Sequence, residues 1–373
     1  MSSCVVRGKS HISHAITIAD HVTTRSKLND DERKGYLDAV SCLHATLPNL
    51  IISKLYSRAS HFRIDDFLLT HTYYSFQNLF SGLSLHYNRW FLAIYDTVLR
   101  DECKYPGALP YWDFSEFSDD ITKDPILSNS ATSLGGNGAP YPNGNGPVQV
   151  TYFGHNLTIP PGSGGGCIYD APFKGTTYNS DPTETSVYPW PLFDGTSNPI
   201  WWFTNPLCPY NPNDRCISRD FNVDIGKDLR ISRIEEGLSC PDVGCFLSRV
   251  AGAVHDHDVY PFNIADTARF AIGGLQLDPI TAPNDPIWWL MQANVDRLYS
   301  IWQNQDPDVR MNQINGTITP FNDISNTQYQ KYYDDPITLG TRIPLHELLL
   351  DASQRSLRDV ANTTNELICY YYE

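Results

Sequence analysis

Asp266 and Arg269 stand three residues apart in "NIADTARFAIGG", where apolar residues recur at helical spacing. On a helix that interval sets a carboxylate beside a guanidinium on one face. Such a pair can be a structural tie that closes a cavity. It can also be chemical equipment, the carboxylate moving a proton while the guanidinium holds an anionic oxygen. His71, in "RIDDFLLTHTYYSF", adds a side chain whose ordinary pKa lies near neutrality. The run "HDHD" at 255–258 invites a metal reading, but imidazoles two residues apart at a helix end diverge. A solvated surface pair is the expectation there. His11, His14 and His21 are expected to bind metal only adventitiously, at the surface.

These groups need elements to hold them. "NDDERKGYLDAVSCLHATL" opens with Asn29 as an N-cap and Glu32 three residues on, then Tyr36, Leu37, Val40 and Leu43 at helical spacing. "RIDDFLLTHTYYSF" and "LHYNRWFLAIYDTVLRDEC" repeat the period. Residues 104–216 break it with "GGNGAPYPNGNGP", "PPGSGGGC" and "YPWPLFDG", the signature of loops and short turns. Helical spacing returns after Arg215. Pro241 suits the first turn of "PDVGCFLSRVAGAVHDHD", Gly273-Gly274 closes "NIADTARFAI", and "NDPIWWLMQANVDRLYSIWQ" reads as a long aromatic-rich helix. A mainly α bundle decorated by long loops, with its site between helices, is the simplest architecture.

Bulk properties narrow the function. The chain has 373 residues, 41% of them hydrophobic, and a net charge of -15. Phosphate backbones need a basic face, so nucleic acid is excluded as a partner. No apolar run approaches a membrane span. Nine cysteines lack the paired spacing of a structural zinc site and read as disulfides with one left over. Asn156, Asn315 and Asn362 open possible glycosylation triplets. Residues 1–25 contain no apolar signal core, so a processed protein of the secretory pathway or extracellular space is the expectation.

"RDECKYPGALPYWDFSE", "GSGGGCIYDAPFKG", "DRCISRDFN", "FAIGGLQLDPITAPNDPIWWL", "ANVDRLYSIWQ" and the terminal "LICYYYE" resemble short fungal tyrosinases and related polyphenol oxidases over nearly the whole chain. The resemblance implies a four-helix core that holds two copper ions through six histidines. It also implies an N-terminal extension over 1–28 and a single domain over 29–373. Within that domain, ligand-helix pairs at 64–103 and 263–304 flank the loop-rich insert at 104–216.

Carried over one by one, the ligand positions fall on His71, Leu79 and Asn88 for the first copper. "NRWF" fixes the last of them, and the family spacing H-x7-H-x8-H fixes the others. "RFAIGG" and the Met291-Gln292 dipeptide place the second set at Ala265, Arg269 and Gln292. His71 alone is a histidine. Gln77 stands where some members carry a cysteine linked to histidine, so no thioether is expected. Type-3 oxygen chemistry needs histidine-bound metal pairs. A guanidinium about 4 Å from a divalent ion opposes it by roughly 8 kcal/mol at an effective dielectric of about 20. Copper is therefore expected to be absent.

The replacements are polar. A decaying site fills with hydrocarbon, as Leu79 and Ala265 do, whereas Asn88, Arg269 and Gln292 need partners. The expectation is a copper-independent enzyme acting on a phenolic or polyketide-like small molecule by cyclisation, isomerisation or dehydration. Arg269, His71 and Asp266 would be catalytic, with Asn88, Gln292 and Phe270 binding substrate. Two alternatives stand beside it. One is a non-catalytic binding protein with a closed cavity. The other is a mononuclear copper phenol oxidase recruiting His71 with His86, His255 or His257.

Overall fold

The computed structural model describes residues 20–49, 60–74, 79, 81–141, 146–152, 155–170, 172–178, 215–252, 262–318, 336–345, 348 and 354–373. The principal helices are α1 (Asp30–Leu43), α2 (Arg63–Tyr73), α3 (Ser84–Asp101), α4 (Ile264–Ile272) and α5 (Ile287–Asn304). The fold is mainly α. Strands among the described residues are two to five residues long and pair only two at a time.

Local chemistry explains the ends. Asn29 accepts from the N–H groups of Asp31 and Glu32, and the Glu32 carboxylate accepts from the Asn29 N–H, forming a capping box. Asn263 caps α4 by accepting from the Asp266 N–H at 2.9 Å. Gly273 closes α4 at φ 62, where a Cβ would fall 2.5 Å from the Asp220 carbonyl oxygen, so the position takes only glycine. Pro241 lies ahead of its helix rather than in the first turn. Asp242 is the cap, accepting from the Cys245 N–H, and the helix starts at Val243. It runs as α only to Phe246, then widens to a π turn over Leu247–Ala251 that stops at Gly252, φ 81.

An aromatic column joins three of the helices. Phe67 of α2 meets Phe91 and Tyr95 of α3 and Trp289 of α5, with ring centroids 5.4–5.7 Å apart. Tyr95 stacks on Trp289 at 3.7 Å. Buried ion pairs set the register. Arg89 Nε of α3 donates to Asp296 of α5 at 2.7 Å, and the hydroxyls of Tyr370 and Tyr372 donate to the other Asp296 oxygen. Arg219 grips Asp285 through Nε and Nη2 while donating to the carbonyls of Leu134, Gly135 and Gly136. That ties the insert to the turn before α5.

Residues 20–28, placed in an N-terminal extension by the resemblance, contact the rest of the chain. Strand Asp20–Val22 pairs in parallel with Tyr370–Tyr372, and Arg25 is buried, donating to the Thr132 carbonyl. Apolar contacts and backbone pairing absorb residues 20–28 into the domain. Disulfides link Cys42–Cys103, Cys167–Cys216 and Cys240–Cys245. The first staples the end of α1 to the end of α3.

Candidate functional site

Between α2, α3, α4 and α5 lies a cavity of about 70 Å³. His71, Leu79, Asn88, Ala265, Arg269 and Gln292, the positions assigned from the family resemblance, all line it, and so does Asp266. Phe91, Trp288, Leu85 and Val295 supply its apolar wall. Burial grades across it: His71, Asp266, Arg269 and Phe91 are buried, while Leu79, Asn88, Gln292 and Ala251 are half-buried. The latter group forms the outer side.

Arg269 sits on that wall with 3% of its surface exposed. Its Nε and Nη2 both donate to Asp266 Oδ1, at 3.1 and 2.6 Å, and Nη1 donates to the Gln276 carbonyl at 3.2 Å. The other Asp266 oxygen accepts from Asn263 Nδ2 at 2.5 Å. Asn263 thus caps α4 with its oxygen and holds the carboxylate with its nitrogen. Burial raises the Asp266 pKa, and the adjacent guanidinium pulls it back down. A guanidinium has five N–H donors. Three are engaged in these contacts, and the remaining two have no acceptor among the described residues.

His71 Nε2 lies 3.0 Å from the Pro279 carbonyl oxygen. A carbonyl only accepts, so Nε2 carries the hydrogen and Nδ1 holds the ring's lone pair. The ring stacks on Phe91 at 5.9 Å and meets the edge of Trp288 at 5.2 Å. Burial pushes its pKa down to about 4, against an upward pull from Pro279 and with a further downward push from Arg269. The imidazole is therefore neutral at pH 7. Asn88 Nδ2 donates to the Gln292 carbonyl at 3.1 Å, bridging α3 to α5. The Gln292 side-chain amide makes no hydrogen bond to another described residue.

Phe270 is not on the cavity wall. It is buried against Phe262, ring edge to face at 4.9 Å, because a residue next to Arg269 on a helix turns about 100° from it. His86 is not there either: it packs edge-on against Tyr299 at 5.7 Å. A site joining His71 to His86 is thus not assembled. Gln77, His255 and His257 lie outside the described residues. Asn263 was missed in the sequence, although an Asn three residues before Asp266 at the start of the apolar period is an N-cap signal. Gln276 and Pro279 act through backbone carbonyls, which no side-chain pattern signals.

The side chains present do not fit a dicopper centre. Leu79 and Ala265 offer no donor atom, Asn88 and Gln292 offer neutral amides, and Arg269 brings a positive charge. The single imidazole already uses Nε2 on a carbonyl. Among the described residues no three His, Cys, Asp or Glu side chains converge as a metal site.

The sequence matches the family model "Common central domain of tyrosinase" over residues 61–305. It is 31% identical over 312 residues to the tyrosinase-like protein orsC of Emericella nidulans, covering 80% of this chain and 77% of that one. It is 28% identical over 306 residues to the N-acetyl-6-hydroxytryptophan oxidase ivoB of the same organism, covering 78% of each. Among solved structures, a polyphenol oxidase from Thermothelomyces thermophila superposes with a TM-score of 0.76 at 26% identity, covering 95% of this chain and 88% of that one. The helical core and these matches agree: the chain belongs to the tyrosinase family.

Proposed function

We propose that this family member is a copper-independent enzyme acting on a phenolic or polyketide-like molecule by proton transfer and charge stabilisation. Cyclisation, isomerisation and dehydration are the reactions such a site supports, and secondary metabolism is the setting. The observation that carries the reading is a buried guanidinium with two N–H donors left over, beside a carboxylate, on the wall of a cavity. In this reading the substrate's O–H or activated C–H gives its proton to Asp266. When an O–H breaks, the electron pair stays on the substrate oxygen; when a C–H breaks, it forms the enolate C=C bond while the carbonyl π pair moves onto oxygen. Arg269, released from a neutralised partner, becomes the counter-ion of that oxygen. His71, neutral and fixed by Pro279, presents an acceptor rather than a cation. Asn88 and Gln292 orient the part of the ligand at the outer side. The relative named for N-acetyl-6-hydroxytryptophan supports a hydroxylated aromatic ligand.

The cavity limits the pose. At about 70 Å³ it is well under the roughly 150 Å³ that accommodates benzene. A substrate therefore inserts its oxygen-bearing edge, with the remainder between Leu79, Asn88, Ala251 and Gln292. The same small volume favours the non-catalytic reading, in which the cavity stays closed. Two measurements decide. Elemental analysis of protein purified without chelator is expected to find no stoichiometric transition metal; one copper or more per chain overturns copper independence. Hydroxy-aromatic and polyketide-like compounds incubated anaerobically are expected to give products of unchanged mass or lacking one water. Arg269→Ala is expected to abolish that turnover with the fold retained, and full activity in this variant removes the mechanism.

A further inference from the structure

Resting on that reading, we infer from the Asp266–Arg269 pair that the site selects neutral hydroxylic acids, phenols or enols, and rejects ligands that arrive already anionic. The cavity wall carries one positive and one negative charge in direct contact, at 2.6 Å, with both side chains almost completely buried. A neutral O–H ligand can exchange with this pair without adding charge. Its O–H bond breaks, the proton goes to the Asp266 carboxylate, and the electron pair remains on the ligand oxygen facing Arg269. The site begins and ends neutral. No oxidant or reductant takes part.

A carboxylate ligand has no such route. It would share Arg269 with an ionised Asp266, leaving two negative charges and one positive in a space with little water. Asn263 reinforces the discrimination. Its Oδ1 caps α4 and so fixes its Nδ2 against Asp266, and rotating the carboxylate away forfeits that hydrogen bond. Gly252 closes the other side, because a Cβ there would lie 2.7 Å from Asn263 Nδ2 and 3.2 Å from Asp266 Oδ2. Arg269 likewise stays, since its Nη1 is held by the Gln276 carbonyl.

The test uses 4-nitrophenol and benzoate as probes on the intact protein at about pH 5.5, where free 4-nitrophenol is neutral and benzoate is ionised. Binding is read by calorimetry and the nitrophenol ionisation state by its visible absorption. Wild-type protein is expected to bind 4-nitrophenol as its anion, and to bind benzoate weaker by about tenfold or more. Asp266→Asn, which keeps the shape and removes the negative charge, is expected to reverse the order, with benzoate gaining about tenfold. Equal wild-type affinities for the two probes, or nitrophenol held in its neutral form, overturn the neutral-acid inference while leaving a ligand site in place. Binding of neither probe overturns the site reading itself. Should Asp266→Asn fail to fold by near-ultraviolet circular dichroism, the wild-type comparison alone still decides.

Discussion

His86 gives the sharpest test of the physical reasoning, because its fold environment offers an imidazole nothing. The side chain is 2% exposed, and neither ring nitrogen has a hydrogen-bond partner among the described residues. Its contact is the edge of Tyr299, and Arg89 nearby adds to burial in pushing its pKa down to about 3. His86→Leu is close in volume and removes both unsatisfied atoms. Relief of a buried unsatisfied polar group contributes about 1–3 kcal/mol, and loss of the ring contact with Tyr299 costs about 0.5–1.5 kcal/mol. The variant should therefore be about 1 kcal/mol more stable at pH 7.5. The pH dependence adds a second, independent number. The folded imidazole stays neutral down to about pH 3, while the unfolded one protonates near pH 6.5. The unfolded state then binds more protons, so stability falls as pH falls below 6.5, by about 1.4 kcal/mol per unit. From pH 6.5 to 4.5 that amounts to about 2.3 kcal/mol from this residue, because the slope is only half developed at pH 6.5. His71 contributes a slope of the same sign. Asp124, raised by burial to about 6, contributes the opposite one, since its folded form binds the proton more tightly. Only the difference between wild type and His86→Leu isolates His86. Urea unfolding followed by tryptophan fluorescence across pH 4.5–7.5 should show the two stability curves diverging as pH falls. Parallel curves, or a destabilised variant at pH 7.5, would refute the account and mean that the nitrogens have partners.

Three further outcomes follow from buried charge and chain connectivity. Asp266→Ala strands Arg269 at 3% exposure and should lose about 3–5 kcal/mol, most of it recovered by adding Arg269→Leu, as measured by urea denaturation. Asp296→Ala should cost a similar amount by leaving Arg89 buried without its carboxylate, whereas Tyr370→Phe, removing one of the hydroxyls on Asp296, should cost about 1 kcal/mol. Replacing both Cys42 and Cys103 with serine opens a link across 61 residues and should cost about 4 kcal/mol, read from the shift in thermal midpoint against total enthalpy.

The helices were legible because their signals are local. The Asn29–Glu32 capping box, the Gly273 stop and the aromatic period of "IWWLMQANVDRLYSIWQ" each act within a turn or two, and each reappears in the structure. The mixed fate of "PDVGCFLSRVAGAVHDHD" shows the limit. Its apolar period fits a helix, yet the backbone widens to a π turn at Leu247, a local choice that period alone does not encode. The attachment of residues 20–28 is silent in the sequence for a related reason. Asp20–Val22 pairs with Tyr370–Tyr372 from the far end of the chain, and nothing near residue 20 announces that partner. At the site, the family spacing placed six positions on one cavity, because helical registers carry side-chain direction with them. Phe270 was lost by the same geometry, one residue too far around α4. The Pro279 and Gln276 carbonyls belong to the turn between α4 and α5, where backbone direction follows from packing rather than residue type.

The buried arginines show why Arg269 reads as more than a tie. Arg219 has all five of its hydrogen-bond contacts taken by Asp285 and by the carbonyls of Leu134, Gly135 and Gly136. Arg63 is similarly occupied by Asp66, Glu102 and the Leu348 carbonyl. Full occupancy is not universal among the buried arginines: Arg89 leaves Nη2, and Arg25 leaves Nε and Nη1, without a hydrogen-bond partner among the described residues, although each unsatisfied buried donor costs about 1–3 kcal/mol. Arg269 is as buried as these and each of its guanidinium nitrogens has a partner, with the Phe270 ring 5.5 Å away; what sets it apart is that it fronts open volume. Leucine or methionine there would fill the space without a charge to desolvate, and buried ion pairs give way to such residues at little or no cost in stability. Stability alone thus supplies no reason for a guanidinium and a carboxylate at this wall. On the proposed reading, an anionic oxygen forming inside the cavity would supply one.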